Sequence, residues 1–134
     1  MYRLEKLIDE EFRRRVWSYV GSDRFEYVGV WIDGFDAANN CSDPGKITDL
    51  TGFKEWLVVL LDASGNIGWR GAIEEKYGND KDATHHFFDL FWSFRQDVNE
   101  NGLKSIFKRH YDYEIENFGT VRNSEYYSRG WNKT

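Results

Sequence analysis

Proline, cysteine and long apolar runs are scarce in this chain, and each scarcity excludes something. Pro44 is the only proline among 134 residues, so little removes backbone donors or forces helices to stop. Cys41 is the only cysteine, which rules out an internal disulfide and removes any need for an oxidising compartment. The longest apolar run, Trp56 to Leu61, falls far short of the roughly 20 residues a membrane-spanning helix needs. Glu5, Asp9, Glu10 and Glu11 near the N-terminus suit neither a signal peptide nor a transit peptide, so the expected location is the cytoplasm. The strong catalytic signatures are missing too: no His-Glu-x-x-His, no phosphate-binding glycine loop with its lysine, no G-x-S-x-G.

Aromatic residues, by contrast, are abundant: 6 Trp, 8 Tyr and 10 Phe, or 18% of the chain. The length is that of one domain, and a chain near this size buries enough surface to hold a core without disulfides or metals. Charged residues make up 31% and the net charge is −5. That charge is uneven. Residues 25–101 carry 6 basic and 14 acidic groups, whereas the segments on either side are slightly basic. An acidic middle disfavours nucleic acid, whose phosphates dominate its affinity for proteins, and favours a basic partner, or serves solubility alone.

Hydrophobic periodicity predicts a mostly α-helical domain of about five or six helices over 1–119, with a polar, aromatic tail at 120–134. Leu4, Leu7, Ile8, Phe12, Val16, Tyr19 and Val20 form one stripe, read as a single helix that ends at Gly21. From Arg24 to Asn39 two readings are open. Phe25, Val28, Ile32 and Phe35 follow helical steps, and Tyr27, Val28, Val30, Trp31 and Ile32 also suit a strand. Gly29 and Gly34 weaken both, and the helix, in which they mark close contact with a neighbour, is preferred. Asn39 to Thr48 is a loop. Phe53, Trp56, Leu57, Leu60 and Leu61 predict a helix with Thr51 as its N-cap. Residues 57–69 also admit a second reading, a hairpin turning at Ser64-Gly65-Asn66. Otherwise Asn66 caps a short helix that ends at Gly78. Asp82 or Thr84 then caps a helix whose wide face carries Phe87, Phe88, Phe91, Trp92, Phe94, Arg95 and Val98 and which ends at Asn101-Gly102, and a last helix runs from Leu103 to Gly119.

The order of these landmarks resembles that of an uncharacterised family of small bacterial proteins. Its members open with a helix and an "RPGMYLG"-like turn, followed by a helix ending "FLxGY", a "GFxxWL" helix, a tryptophan opening a short helix, and an "FFxLxxxF" helix. The matching pieces are Arg15-Val16-Trp17-Ser18-Tyr19-Val20-Gly21, Trp31-Ile32-Asp33-Gly34-Phe35, Gly52-Phe53-Lys54-Glu55-Trp56-Leu57, Trp69, and Phe87-Phe88-Asp89-Leu90-Phe91. Val16-Trp17 stands where the family has Pro-Gly. The resemblance implies a mostly helical fold and no particular reaction. By association it points toward immunity partners of secreted toxins.

Two His/acid pairs at helical i, i+4 spacing, His85–Asp89 and His110–Glu114, have the spacing of metal ligands converging on one helix face. This raises an alternative, a metalloprotein or an enzyme. The favoured expectation is a protein-binding module without catalysis, metal or cofactor, an immunity protein occluding a basic, nuclease-type toxin. Its contact residues are expected to be Asp33, Asp36, Asp62, Glu74, Glu75, Asp80 and Asp82, among surface aromatics. The expected state is a monomer or homodimer, without nucleic-acid or membrane partners. A structural homo-oligomer subunit is the third expectation.

Overall fold

Aromatic side chains spaced along one long helix organise this protein. In a computed structural model, which describes residues 3–39, 47–63 and 67–119, helix α6 (Lys81–Asn101) is the spine. Ala83, Thr84, Phe87, Phe88, Phe91, Phe94 and Arg95 all point inward from it, the stripe that a 3.6-residue period demands. Around it pack α3 (Phe25–Asn39), α4 (Phe53–Leu61), α5 (Trp69–Tyr77) and α7 (Leu103–Phe118). Among the described residues there is no strand, and no helix is long and apolar enough to cross a membrane.

Phe53 sits at the hub. Its ring lies 5.1 Å from Phe94, 5.6 Å from Trp69, 5.8 Å from Phe91 and 6.1 Å from Phe87, the tilted and edge-on packing that ring quadrupoles favour. Gly52 just before it has φ 87°, and a Cβ there would lie 2.8 Å from Leu103 Cδ1. Only glycine meets both demands, the left-handed backbone and the close approach to α7. Gly52, and not Thr51, is therefore the N-cap of α4. The Thr51 hydroxyl instead accepts a hydrogen bond from Thr48 N at 2.8 Å.

The single helix expected over Leu4–Val20 is broken. The chain forms α1 (Leu4–Glu10), a 3-10 turn (Phe12–Arg14) and α2 (Val16–Val20), with Glu11 and Arg15 out of helical geometry between them. The bend drives Phe12 fully into the core, stacked 4.7 Å from Trp31. Glu11 clasps the bend by accepting from the Tyr19 hydroxyl. Burying Phe12 outweighs the small local gain from continuing the helix. With this break the described residues hold seven α-helices, in keeping with the mostly α-helical domain of about five or six helices expected.

The hairpin reading of 57–69 is corrected. Both flanks are helical, α4 through Leu61 and α5 from Trp69, and Asp62 ends α4 in the left-handed conformation. Asp80, and not Asp82 or Thr84, caps α6. The predicted stops at Gly21, Gly78, Gly102 and Gly119 all terminate helices. The turn at 64–66 with its Asn66 cap, the 40–46 stretch with Cys41 and Pro44, and the tail at 120–134 lie outside the described residues.

Candidate functional site

Helix α3 presents an uncharged outer face. Its most exposed positions are Tyr27, Val30, Gly34, Ala37 and Ala38, which helical spacing gathers on one side. Tyr27 and Val30 are each 55% exposed. Trp31 and Phe35 flank that side, half-buried and stacked 5.6 Å apart, and Trp31 is anchored inward on Phe12. Beside them α2, which packs on α3, holds Trp17 63% exposed. Among the described residues nothing lies within 4 Å of a Cβ built on Gly34, whereas Gly29 on the inner side faces Arg70 at 2.8 Å.

The edge of α3 toward α5 is charged. Asp33 accepts from Trp69 Nε1 at 2.8 Å and pairs with Arg70 Nε at 2.6 Å. Two turns earlier on that edge, Glu26 pairs with Arg24 at 2.9 Å, and Arg24 also reaches Asp80 at 3.3 Å. The carbonyls of Asn79 and Asp80 accept from the first amides of α3, which ties the α5–α6 turn to this end. Glu74, one turn beyond Arg70, and Glu75 are exposed on α5, as is Asp82 in the first turn of α6. Glu26, Asp33, Glu74, Glu75, Asp80 and Asp82 outnumber Arg24, Arg70, Lys76 and Lys81 on these elements, so this side stays acidic.

The seven expected contact residues therefore do not form one patch. Asp33, Glu74, Glu75, Asp80 and Asp82 belong to the α3–α5–α6 side. Asp62 caps the far end of α4 and accepts from the Tyr113 hydroxyl on α7, a bond that pushes that phenol up to about 12. Asp36 turns into a cavity instead.

That cavity, about 480 Å3, opens where the start of α1, the end of α3 and the 47–51 turn meet α6 and α7. Its polar wall is a charge network that sequence reasoning missed. Arg95 is 7% exposed and Asp49 5%. Arg95 Nε donates to Glu5 Oε2 at 3.1 Å and Nη1 to the Asp49 carbonyl at 3.2 Å. The Asp49 carboxylate accepts from Arg3 Nη2 at 2.5 Å and from Glu5 N at 2.8 Å, so a distant turn caps α1. Burial alone would raise the Asp49 carboxyl, but Arg3, the Glu5 amide and Arg95 outweigh it and hold it below the usual carboxylate range. Asp36 has one such partner, Thr48 Oγ1 at 3.1 Å. Its burial, together with the charges of Asp33 and Asp49, pushes its carboxyl above the usual range. One sequence signal pointed to this network: Arg95 lies on the apolar stripe of α6, where a charge must find a buried partner.

The two His/acid pairs do not meet at one centre. His85 is exposed near Lys81 and Asp23, and Arg13 Nη2 takes Asp89 at 3.0 Å. His110 is 2% exposed, with Nε2 3.3 Å from Glu114 Oε1. Burial holds its imidazole below the usual range, Glu114 opposing and Lys54 assisting. Among the described residues no three His, Cys, Asp or Glu side chains converge as metal ligands would. No protein-family model, curated protein or solved structure matches this chain.

Proposed function

We propose that this protein acts by binding another protein through the outer face of α3, making and breaking no covalent bond. One observation carries the reading: the most exposed positions of a fifteen-residue helix, Tyr27, Val30, Gly34, Ala37 and Ala38, are all uncharged. A solvated helix puts charges on that side, and an aromatic centre rigidly rooted in the core is the make-up of an interface hot spot. The acidic rim toward α5 complements a partner with basic groups around an apolar centre. The specific reading is a cytoplasmic bacterial immunity protein that covers the active surface of a basic, nuclease-type toxin.

Gly34 favours a second reading, a homodimer crossing at α3. Nothing among the described residues needs the missing Cβ, and close backbone approach is what such a glycine permits.

Basic toxin domains encoded beside this protein, titrated with it at low and high salt, test the proposal. A salt-sensitive 1:1 complex is expected, weakened at least about a hundredfold by Val30→Arg, because an unpaired charge at the centre of an interface costs several kcal/mol. Unchanged binding by Val30→Arg refutes the α3 site. Sedimentation that shows a dimer, turned monomeric by the same variant, would assign the face to a second copy.

A further inference from the structure

The cavity beneath α3 has an unusual charge balance. Its two guanidiniums, Arg3 and Arg95, are already engaged by two carboxylates, Asp49 and Glu5. Among the described residues Asp36 has no cationic partner: it is half-buried, bonded through one oxygen to Thr48, and has Asp33 and Asp49 for charged neighbours. The lining also includes the aliphatic Leu4, Ile47, Val98 and Leu103, with Asn39 and Thr51 as further polar groups. A cavity of this volume that combines apolar surface with polar groups suits a small molecule.

We propose that this cavity binds an alkylammonium group, its nitrogen on Asp36 and its stem along Val98 and Leu103. The chemistry excludes the alternatives in turn. A carboxylate or phosphate would add negative charge beside Asp36 and Asp49, where the charges of Arg3 and Arg95 are already balanced by Asp49 and Glu5. A bare metal ion would gain nothing from the aliphatic side chains and would lack a third ligand. An ammonium supplies the missing charge and up to three donors, while its chain covers apolar surface. This site is separate from the outer face of α3 and does not depend on the protein-binding role.

Hexylamine, hexanol and hexanoate, titrated into the full chain and followed by NMR shifts of the Leu4, Val98 and Leu103 methyls, provide the test. Hexylamine should bind with a Kd of order 1 mM, as suits a ligand of so few atoms. Hexanol and hexanoate should each bind at least about tenfold more weakly, one lacking the charge and the other carrying the wrong one. Asp36→Asn keeps an acceptor for Thr48 and should abolish the preference for the amine. Val98→Phe, which fills the cavity, should abolish binding of all three. Nα-acetyl-lysine methylamide separates the sources of the group: binding as tight as hexylamine points to a protein lysine, weaker binding to a free amine, and either supports the site. Hexanoate binding as well as hexylamine, no shifts with hexylamine, or an Asp36→Asn variant that is folded and still prefers the amine would overturn the proposal.

Discussion

Two glycines five residues apart on α3 separate helix propensity from packing. Alanine at either position gains about 0.5–1 kcal/mol, because glycine loses more backbone freedom on folding. At Gly34 the new methyl meets none of the described residues within 4 Å, so Gly34→Ala should raise stability by that full amount. At Gly29 the methyl would lie 2.8 Å from Arg70 Cδ and 3.2 Å from Cγ. Arg70 can make room only by moving its stem off α3 and stretching its 2.6 Å contact with Asp33, which also holds Trp69. Overpacking of this kind costs about 1–3 kcal/mol. The half-exposed ion pair adds little. Set against the propensity gain, Gly29→Ala should lower stability by about 1 kcal/mol, leaving the two variants about 2 kcal/mol apart. Urea unfolding followed by circular dichroism, with an unchanged denaturant slope, measures both. Equal shifts in one direction would refute the account of α3, and a destabilised Gly34→Ala would mean that its outer side is already packed. If that side is the interface, Gly34→Ala should also weaken the complex while stabilising the free protein.

Further outcomes follow from the buried charges. Arg95→Met should destabilise by about 3 kcal/mol in chemical denaturation, because it leaves Glu5 and Asp49 without their buried partner. A loss below about 1 kcal/mol would show the network to be idle. Asp97, held by Arg109, with Asn101 and Trp56 adding their hydrogen bonds, has its carboxyl lowered to about 2. Its folded value lies below its unfolded one, so its contribution is present above about pH 4 and fades as pH falls toward 2. Asp97→Asn should flatten that part of the acid unfolding curve and cost about 1 kcal/mol at neutral pH, Arg109 being half in solvent. His110 is also lowered, by burial first, and the unfolded chain therefore takes the proton more readily. Stability should fall as pH drops below about 6.5, and His110→Gln should remove that step from a melting series run from pH 8 to 5.

Much of this fold was legible because helix periodicity is a local property. The stripes of α6 and α7, and the glycine stops at 21, 78, 102 and 119, needed only neighbours in the chain to be read. Leu57-Val58-Val59-Leu60-Leu61 was open to two readings because a short apolar run suits a buried strand or a buried helix equally well. Packing against α7 and α5 makes it helical. The acids were legible as a composition and not as a surface. Asp33 and Asp62 are spent on Trp69, Arg70 and Tyr113, partners 36 to 51 residues away.

The sequence by itself determined that this chain is helical, where most of its helices stop, that its middle is acidic and that rings fill its core, since each follows from spacing and composition along the backbone. Tertiary structure alone decided that the first helix bends to bury Phe12, that Asp49 caps α1 across 44 residues, and that the outer side of α3 stays bare. These outcomes depend on which distant side chains compete for the same space and the same charge, and a one-dimensional pattern carries no record of that competition.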